Sequence, residues 1–186
     1  MRSRKRILKQ DTLPNWATAA AWLCVAAAAP TVLWRVLLGL GWDLGTPAQW
    51  RAEQQIPGPG SSYVLTLAAL QLGAALLAVR MVRPDGDRVP HWVPLLAGRR
   101  APAALVGGLA FGGAAILLAL CAMSMWRWSW VNPFDGAPAS LGNAVCTAAY
   151  LAVLLWPPAL IAATLGYLRG RLRERRCTPP ARVREM

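Results

Sequence analysis

The sequence predicts an all-α protein, a bundle of four transmembrane helices with both termini in the cytoplasm. Hydrophobic residues make up 56% of the 186 residues and charged residues only 15%, which is too few charges to cover a water-soluble domain. Apolar runs of about twenty residues recur four times, and that length crosses the hydrocarbon core of a bilayer. Most basic residues gather in three clusters outside these runs, as is typical of multi-pass proteins.

We place the spans by the apolar runs and their polar interruptions. One transmembrane domain is predicted over residues 1–170, and a basic, partly disordered cytoplasmic tail over 171–186. The predicted spans are 16–40, 62–82, 103–125 and 141–168.

The first span has two features beyond its length. Its basic start and the run Ala27–Ala29 also resemble a cleavable signal peptide, but the apolar run continues well past that point and Pro30 would follow the cleavage site directly. Arg35 lies inside the span, where an uncompensated charge is costly. It either snorkels to the nearby interface, with Asp43 as a partner, or anchors an anion near the outer surface.

Polar or small residues mark the second and third spans. Gln71 is the only strongly polar side chain in the second span, and such a group normally finds a partner inside the bundle. Gly108 and Gly112 form a G-x-x-x-G in the third span, which predicts close internal packing and, as an alternative, a dimer interface.

Tryptophans crowd the segment after the third span. Trp126, Trp128 and Trp130 alternate with other residues, and tryptophan prefers the headgroup level of a membrane. We interpret them as an interfacial girdle. The functional alternative is an outer aromatic platform for a lipid headgroup, a sugar or an organic cation.

The last span is longer than a membrane crossing requires. Trp156, Pro157 and Pro158 lie within it, and the two prolines remove two backbone donors, so the helix should bend there. A broken helix of this kind can expose backbone groups for substrate binding in transporters.

The topology follows from the distribution of basic residues. Five lie in the first 15 residues, five in the loop 80–102 and seven in the tail from Arg169, which leaves Arg35, Arg51 and Arg127 for the other face. The positive-inside rule places the richer face in the cytoplasm. There it predicts contact with anionic lipids, and it explains the net charge of +12 without nucleic-acid binding. The arginine- and alanine-rich composition indicates a bacterial plasma membrane.

The sequence contains no catalytic pattern that we recognise. No Asp, Glu or His lies inside a predicted span, and His91 has no nucleophile motif near it. The four cysteines include no C-x-x-C pair, and three lie in apolar runs where cysteine usually packs as a small residue. We therefore predict no catalytic residues, no metal site and no cofactor.

The loop between the second and third spans resembles a family pattern. It reads RP-x-G, then P-x-W-x-P-x-LAGRR-x-P, from Arg83 to Pro102, and an arginine-rich stretch follows Tyr167 near the end of the chain. This is similar to small integral membrane proteins of actinobacteria with about four spans and no assigned activity. The resemblance implies membrane location and four spans, and it transfers no site residues.

The same loop could also contact lipid. Its apolar part could lie on the inner leaflet while basic side chains meet phosphates; the residues concerned are Arg88, Trp92, Arg99 and Arg100. The alternative is a fixed connector between two spans.

The sequence favours one function, leaves a second as the alternative and supports a third least. The first is a non-enzymatic accessory, structural or regulatory membrane component, acting as a homo-oligomer or with a membrane-protein partner. The second is a transporter or a lipid or small-ligand-binding protein, with a cavity near Arg35 and the proline-kinked helices. An intramembrane enzyme is the least supported reading. A water-accessible cavity holding Arg35, Gln71 and Trp156 would favour the second.

Overall fold

Four long apolar helices carry the fold, as the sequence predicts. A computed structural model describes residues 14–83, 102–135 and 139–177, and its long helices have the length and composition to cross a membrane. No strand occurs in these ranges. The helices are α1 (Asn15–Gly39), α2 (Ala48–Glu53), α3 (Pro59–Met81), α4 (Ala103–Trp126), α5 (Trp128–Val131), α6 (Leu141–Val153) and α7 (Trp156–Cys177).

Proline and serine set several helix starts. Pro14 and Pro102 have extended backbone and directly precede α1 and α4, while Pro59 occupies the first turn of α3, where its missing N–H is not needed. The Ser140 hydroxyl accepts a hydrogen bond from the Asn143 N–H at the start of α6, at 3.2 Å. These caps explain why the predicted spans differ from the observed helices by only a few residues at these ends.

The last span is divided into two helices. α6 ends at Val153 and α7 begins at Trp156, with a turn over Leu154 and Leu155 between them. Pro157 and Pro158 therefore lie in the first turn of α7, where backbone N–H groups have no partner within the helix. The predicted bend is a break, and it lies just before the prolines.

α1 is the centre of the bundle. It packs against α3, α6 and α7, whereas α4 packs mainly on α7 and hardly touches α3. In the most apolar window of each helix, 39% of α1 is buried and only 11% of α4. α4 is thus an outer helix that is held on one side.

Alanine and glycine allow α1 and α7 to approach closely. A Cβ built on Gly166 would lie 2.2 Å from the Cβ of Ala17, so no larger residue fits there without a shift. Ala17, Ala21 and Ala163 are fully buried in the same cluster. We call this end of the bundle, where α1 begins and α7 ends, the terminal face, and the opposite end the distal face.

The glycines of α4 do not play the predicted internal role. Among the described residues, a Cβ on Gly108 or Gly112 would meet nothing within 4 Å, whereas one on Gly107 would lie 3.1 Å from the Leu168 side chain. Internal packing of the G-x-x-x-G is therefore wrong, because α4 turns Gly107 and not this pair toward α7.

Candidate ligand-binding cavity

A cavity of about 500 Å³ lies between α3 and α4. It exists because these two helices hardly touch, so the space between them is closed only by α1, α6 and the break before α7. Its lining is Thr31, Arg35, Tyr63, Leu67, Leu70, Gln71, Ala74, Leu117, Leu120, Cys121, Ser124, Met125, Trp128, Tyr150, Val153, Leu154 and Trp156. The volume is in the usual range of small-molecule sites.

A chain of hydrogen bonds joins α1 to α3 inside this cavity. Nη1 of Arg35 donates to Oε1 of Gln71 at 2.7 Å. Nε2 of Gln71 donates to the Thr31 hydroxyl at 2.7 Å, and that hydroxyl donates to the Ala28 carbonyl at 3.0 Å. Gln71 thus bridges two residues of α1 that are one turn apart, which holds its amide in one orientation.

The Arg35 guanidinium has a neutral environment. Its Cζ lies 5.8 Å from the centre of the Tyr150 ring, and Tyr150 packs edge-on against Trp128, with ring centres 5.9 Å apart. Gln71 and Tyr150 are its only partners among the residues that the structure describes. A guanidinium has five N–H donors, so most of them have no protein acceptor here.

The structure does not pair Arg35 with Asp43. The Asp43 carboxylate instead accepts from the Gly45 N–H at 3.2 Å, within its own turn. Because Gln71 bonds both Arg35 and Thr31, the guanidinium lies level with the preceding turn of α1 and not beyond the helix end. Side chains on a helix generally tilt toward its N-terminus, and this direction brings the Arg35 guanidinium into the cavity.

The break before α7 contributes the far wall. Trp156 is 3% exposed, and its indole Nε1 has no hydrogen-bond partner in the described part of the chain. In an uninterrupted helix the carbonyls of Val153 and Leu154 would accept from residues 157 and 158, but both are prolines and have no N–H. The break therefore places in the cavity wall an indole N–H that has no partner among the described residues.

Comparisons with known proteins do not assign the chain to a family. No protein-family model, curated protein or solved structure matches it. The geometry of the cavity is therefore the basis for any statement about function.

The predicted aromatic platform is divided by the structure. Trp126, at the end of α4, is 89% exposed, whereas Trp128 in α5 lines the cavity. The side chain of Trp130 lies outside the described part. A turn at Arg127 and the short helix α5 separate Trp126 from Trp128.

The predicted lipid contacts of the central loop cannot be placed in the fold. Arg88, Trp92, Arg99 and Arg100 lie outside the described residues. At the terminal face, the described part shows Arg169 with its Cζ 5.8 Å from the centre of the Trp16 ring, and Arg171 with its Cζ 5.4 Å from that of Tyr167.

Sequence reasoning singled out Arg35, Gln71 and Trp156 but missed their neighbours. Thr31 and Tyr150 were not selected, although Thr31 precedes Arg35 by four residues and must share its helix face. That spacing was an available signal for Thr31. Nothing in the sequence links Tyr150 to Arg35, because their contact depends on how α6 packs against α1.

Proposed function

We propose that this chain is a bacterial plasma-membrane protein that binds a small ligand in the cavity between α3 and α4, with Arg35 as the anion anchor. The observation that carries the proposal is a guanidinium that lines a cavity of about 500 Å³ and has neutral protein partners. Arg35 lies inside a candidate membrane span, four residues before the end of α1, where a charge is costly unless a partner compensates it. A bound anion would supply the countercharge that the described residues do not.

The proposed role is non-enzymatic binding, in a carrier or transporter or in a ligand-responsive membrane component. The described lining holds one cation but no carboxylate or histidine that could act as a general acid or base. The break between α6 and α7 supports a carrier, because broken helices beside a cavity commonly supply backbone groups to a transported substrate.

Ligand binding is tested by thermal unfolding of the purified full chain with a panel of probes. Inorganic phosphate, benzoate and hexadecanoate are each titrated against the wild type and Arg35→Gln. We expect at least one of them to raise the Tm of the wild type in a concentration-dependent way and to leave that of Arg35→Gln unchanged. The proposal fails if no probe distinguishes the two proteins.

A second candidate function is an accessory component that associates through α4, either with another copy or with a different membrane protein. It is favoured by the open surface at Gly108 and Gly112 on a helix that packs mainly on one side. Small residues at this spacing let two membrane helices approach closely. Replacing both glycines by leucine should lower the degree of cross-linking in native membranes, and unchanged cross-linking would count against this candidate.

The terminal face is the proposed cytoplasmic face, and we propose that it contacts anionic lipid. Arg169 and Arg173 lie one turn apart on α7, beside Trp16 at the start of α1. Basic residues beside a membrane helix attract anionic lipid with about 1 kcal/mol each. Flotation of the protein with and without phosphatidylserine in the vesicles measures this contribution.

A further inference from the structure

The hydrogen-bonded polar side chains of the described cavity lining are gathered at one place. Arg35, Gln71 and Thr31 form one hydrogen-bonded cluster, with the Tyr150 ring beside the guanidinium. Most of the remaining lining is aliphatic or aromatic and comes from all the surrounding helices. A ligand complementary to this surface has one polar end and a larger apolar part.

The cavity is open toward the lipid between α3 and α4. Leu70 on α3 and Leu120 on α4 both line it, and yet they are 65% and 48% exposed. Because these two residues line the cavity and are also exposed on the outside of the bundle, the cavity is open at this place. Since both helices are candidate membrane spans, the opening faces hydrocarbon, and an apolar molecule can enter from the bilayer.

The length of the cavity matches one leaflet. Its lining on α3 runs from Tyr63 to Ala74, about 16 Å at 1.5 Å per residue. The hydrocarbon core of a bilayer is about 30 Å thick, so one leaflet contributes about 15 Å. From the polar contact at Gln71 to Tyr63 the lining extends about 12 Å, so the space suits a molecule with a single chain better than a compact solute.

The charge of the cavity limits the headgroup. Arg35 is the single ionised side chain of the described lining, and a guanidinium forms its strongest bonds with carboxylate or phosphate oxygens. A monoanion would neutralise it, whereas a dianion would leave a net charge in a poorly solvated place, which is costly. This favours a carboxylate over a phosphate monoester.

From these four observations we infer that the ligand is a single-chain amphiphile with a monoanionic carboxylate head, which enters laterally between α3 and α4. The head binds the free donors of Arg35, and the chain lies along the leucines of the two helices. This inference rests on the proposed function, since it names the ligand class of the same cavity.

The test uses the full chain in nanodiscs of zwitterionic lipid and compares matched probes at pH 8. Hexadecanoate carries both the chain and the charge, hexadecanol the chain alone, acetate the charge alone, and hexadecyl phosphate the alternative head. We expect saturable binding of hexadecanoate, weaker binding of hexadecyl phosphate, and none of the other two. Arg35→Gln should weaken hexadecanoate binding by between about tenfold and a hundredfold, the usual value of a hydrogen bond to a charged group.

Two further variants separate the cavity from general effects. Leu120→Trp should narrow the opening and reduce hexadecanoate binding without removing Arg35. Arg51→Gln is the matched control, because Arg51 is bound to Thr46 within its own loop and does not line the cavity. It should bind as the wild type does. If Arg35→Gln does not fold, Gln71→Glu replaces it, since a carboxylate at that position would neutralise Arg35 in place.

The outcomes distinguish the two proposals. The amphiphile inference is overturned if hexadecanol binds as well as hexadecanoate. It is also overturned if neither Arg35→Gln nor Gln71→Glu affects hexadecanoate binding. If acetate, benzoate or inorganic phosphate binds in an Arg35-dependent way and hexadecanoate does not, the amphiphile inference is overturned but the proposed function is supported. If no probe binds saturably in nanodiscs or shifts the Tm, both are overturned.

Discussion

At the scale of single residues, a partly buried arginine in a candidate membrane span, Arg35, is stabilised by an amide and an aromatic ring. Gln71 accepts from Arg35 and donates to Thr31, so both ends of its amide are used. A neutral acceptor lowers the cost of the arginine without cancelling its charge. The positive charge is thereby kept available to a ligand.

The first prediction concerns the neutral acceptor of Arg35, the side-chain amide of Gln71. Gln71→Glu places a carboxylate within reach of Arg35, so we expect the binding of an anionic probe to weaken more than about tenfold while the Tm stays the same or rises. Gln71→Leu keeps the charge but removes the acceptor, and it should cost about 1–3 kcal/mol of stability. Probe titration and thermal unfolding of both variants measure the two effects. Retained binding in Gln71→Glu would show that Arg35 is not the anchor.

At the scale of helices, α1 and α7 approach each other closely. Fully buried alanines and Gly166 line this contact, which brings two backbones together as small residues do in membrane bundles. α4 has no comparable contact at Gly108 and Gly112. Glycine is therefore important for helix packing at position 166 of α7 and not at positions 108 and 112 of α4.

The second prediction uses this contrast. Gly166→Ala sets a Cβ against that of Ala17 and should cost about 1–3 kcal/mol by overpacking. Gly112→Ala is the matched control, because its Cβ meets open space and alanine favours the helix by up to about 1 kcal/mol. The Tm of both variants in the same detergent gives the comparison. Similar Tm values for the two would contradict the assigned packing.

The sequence predicted the helices well because span length and hydropathy are local properties. The predicted span 103–125 corresponds to α4, Ala103–Trp126, and 16–40 to α1, Asn15–Gly39. The cavity was not derivable in this way. Arg35 and Gln71 are both conspicuous in the sequence, but their contact depends on the register and rotation of α1 against α3, which many sequence positions determine together.

The break in the last span was only partly predictable, for a related reason. Pro157 and Pro158 indicate that the helix cannot pass unchanged, but not on which side it ends. In the structure both prolines open α7, and the turn precedes them. The two prolines predicted an interruption of the helix but not its exact position. In the structure the interruption follows the end of α6, which packs against α1.

At the scale of the whole molecule, charge and packing are both unevenly distributed. A buried apolar cluster joins α1, α3 and α7 at the terminal face, and the cavity separates α3 from α4 further along the bundle. Basic residues of the sequence are concentrated in the segments that the predicted topology assigns to the terminal face. The positive-inside rule would orient that face toward the cytoplasm.

The third prediction tests this orientation. Green fluorescent protein fused after Met186 should fluoresce, and alkaline phosphatase fused there should be inactive, because the first folds in the cytoplasm and the second requires export. Alkaline phosphatase fused within the segment 40–47 should be active. The reverse pattern at both sites would place the terminal face outside.

The hydrogen bonds of Gln71 also bear on the order in which the chain is made. Arg35 and its acceptor belong to two consecutive spans, α1 and α3. The charge therefore gains its partner as soon as the second span has entered the bilayer, before any later helix is synthesised. The N-terminal hairpin therefore contains the hydrogen-bond acceptor of the arginine, and the second half of the chain adds the Tyr150 ring and encloses the cavity.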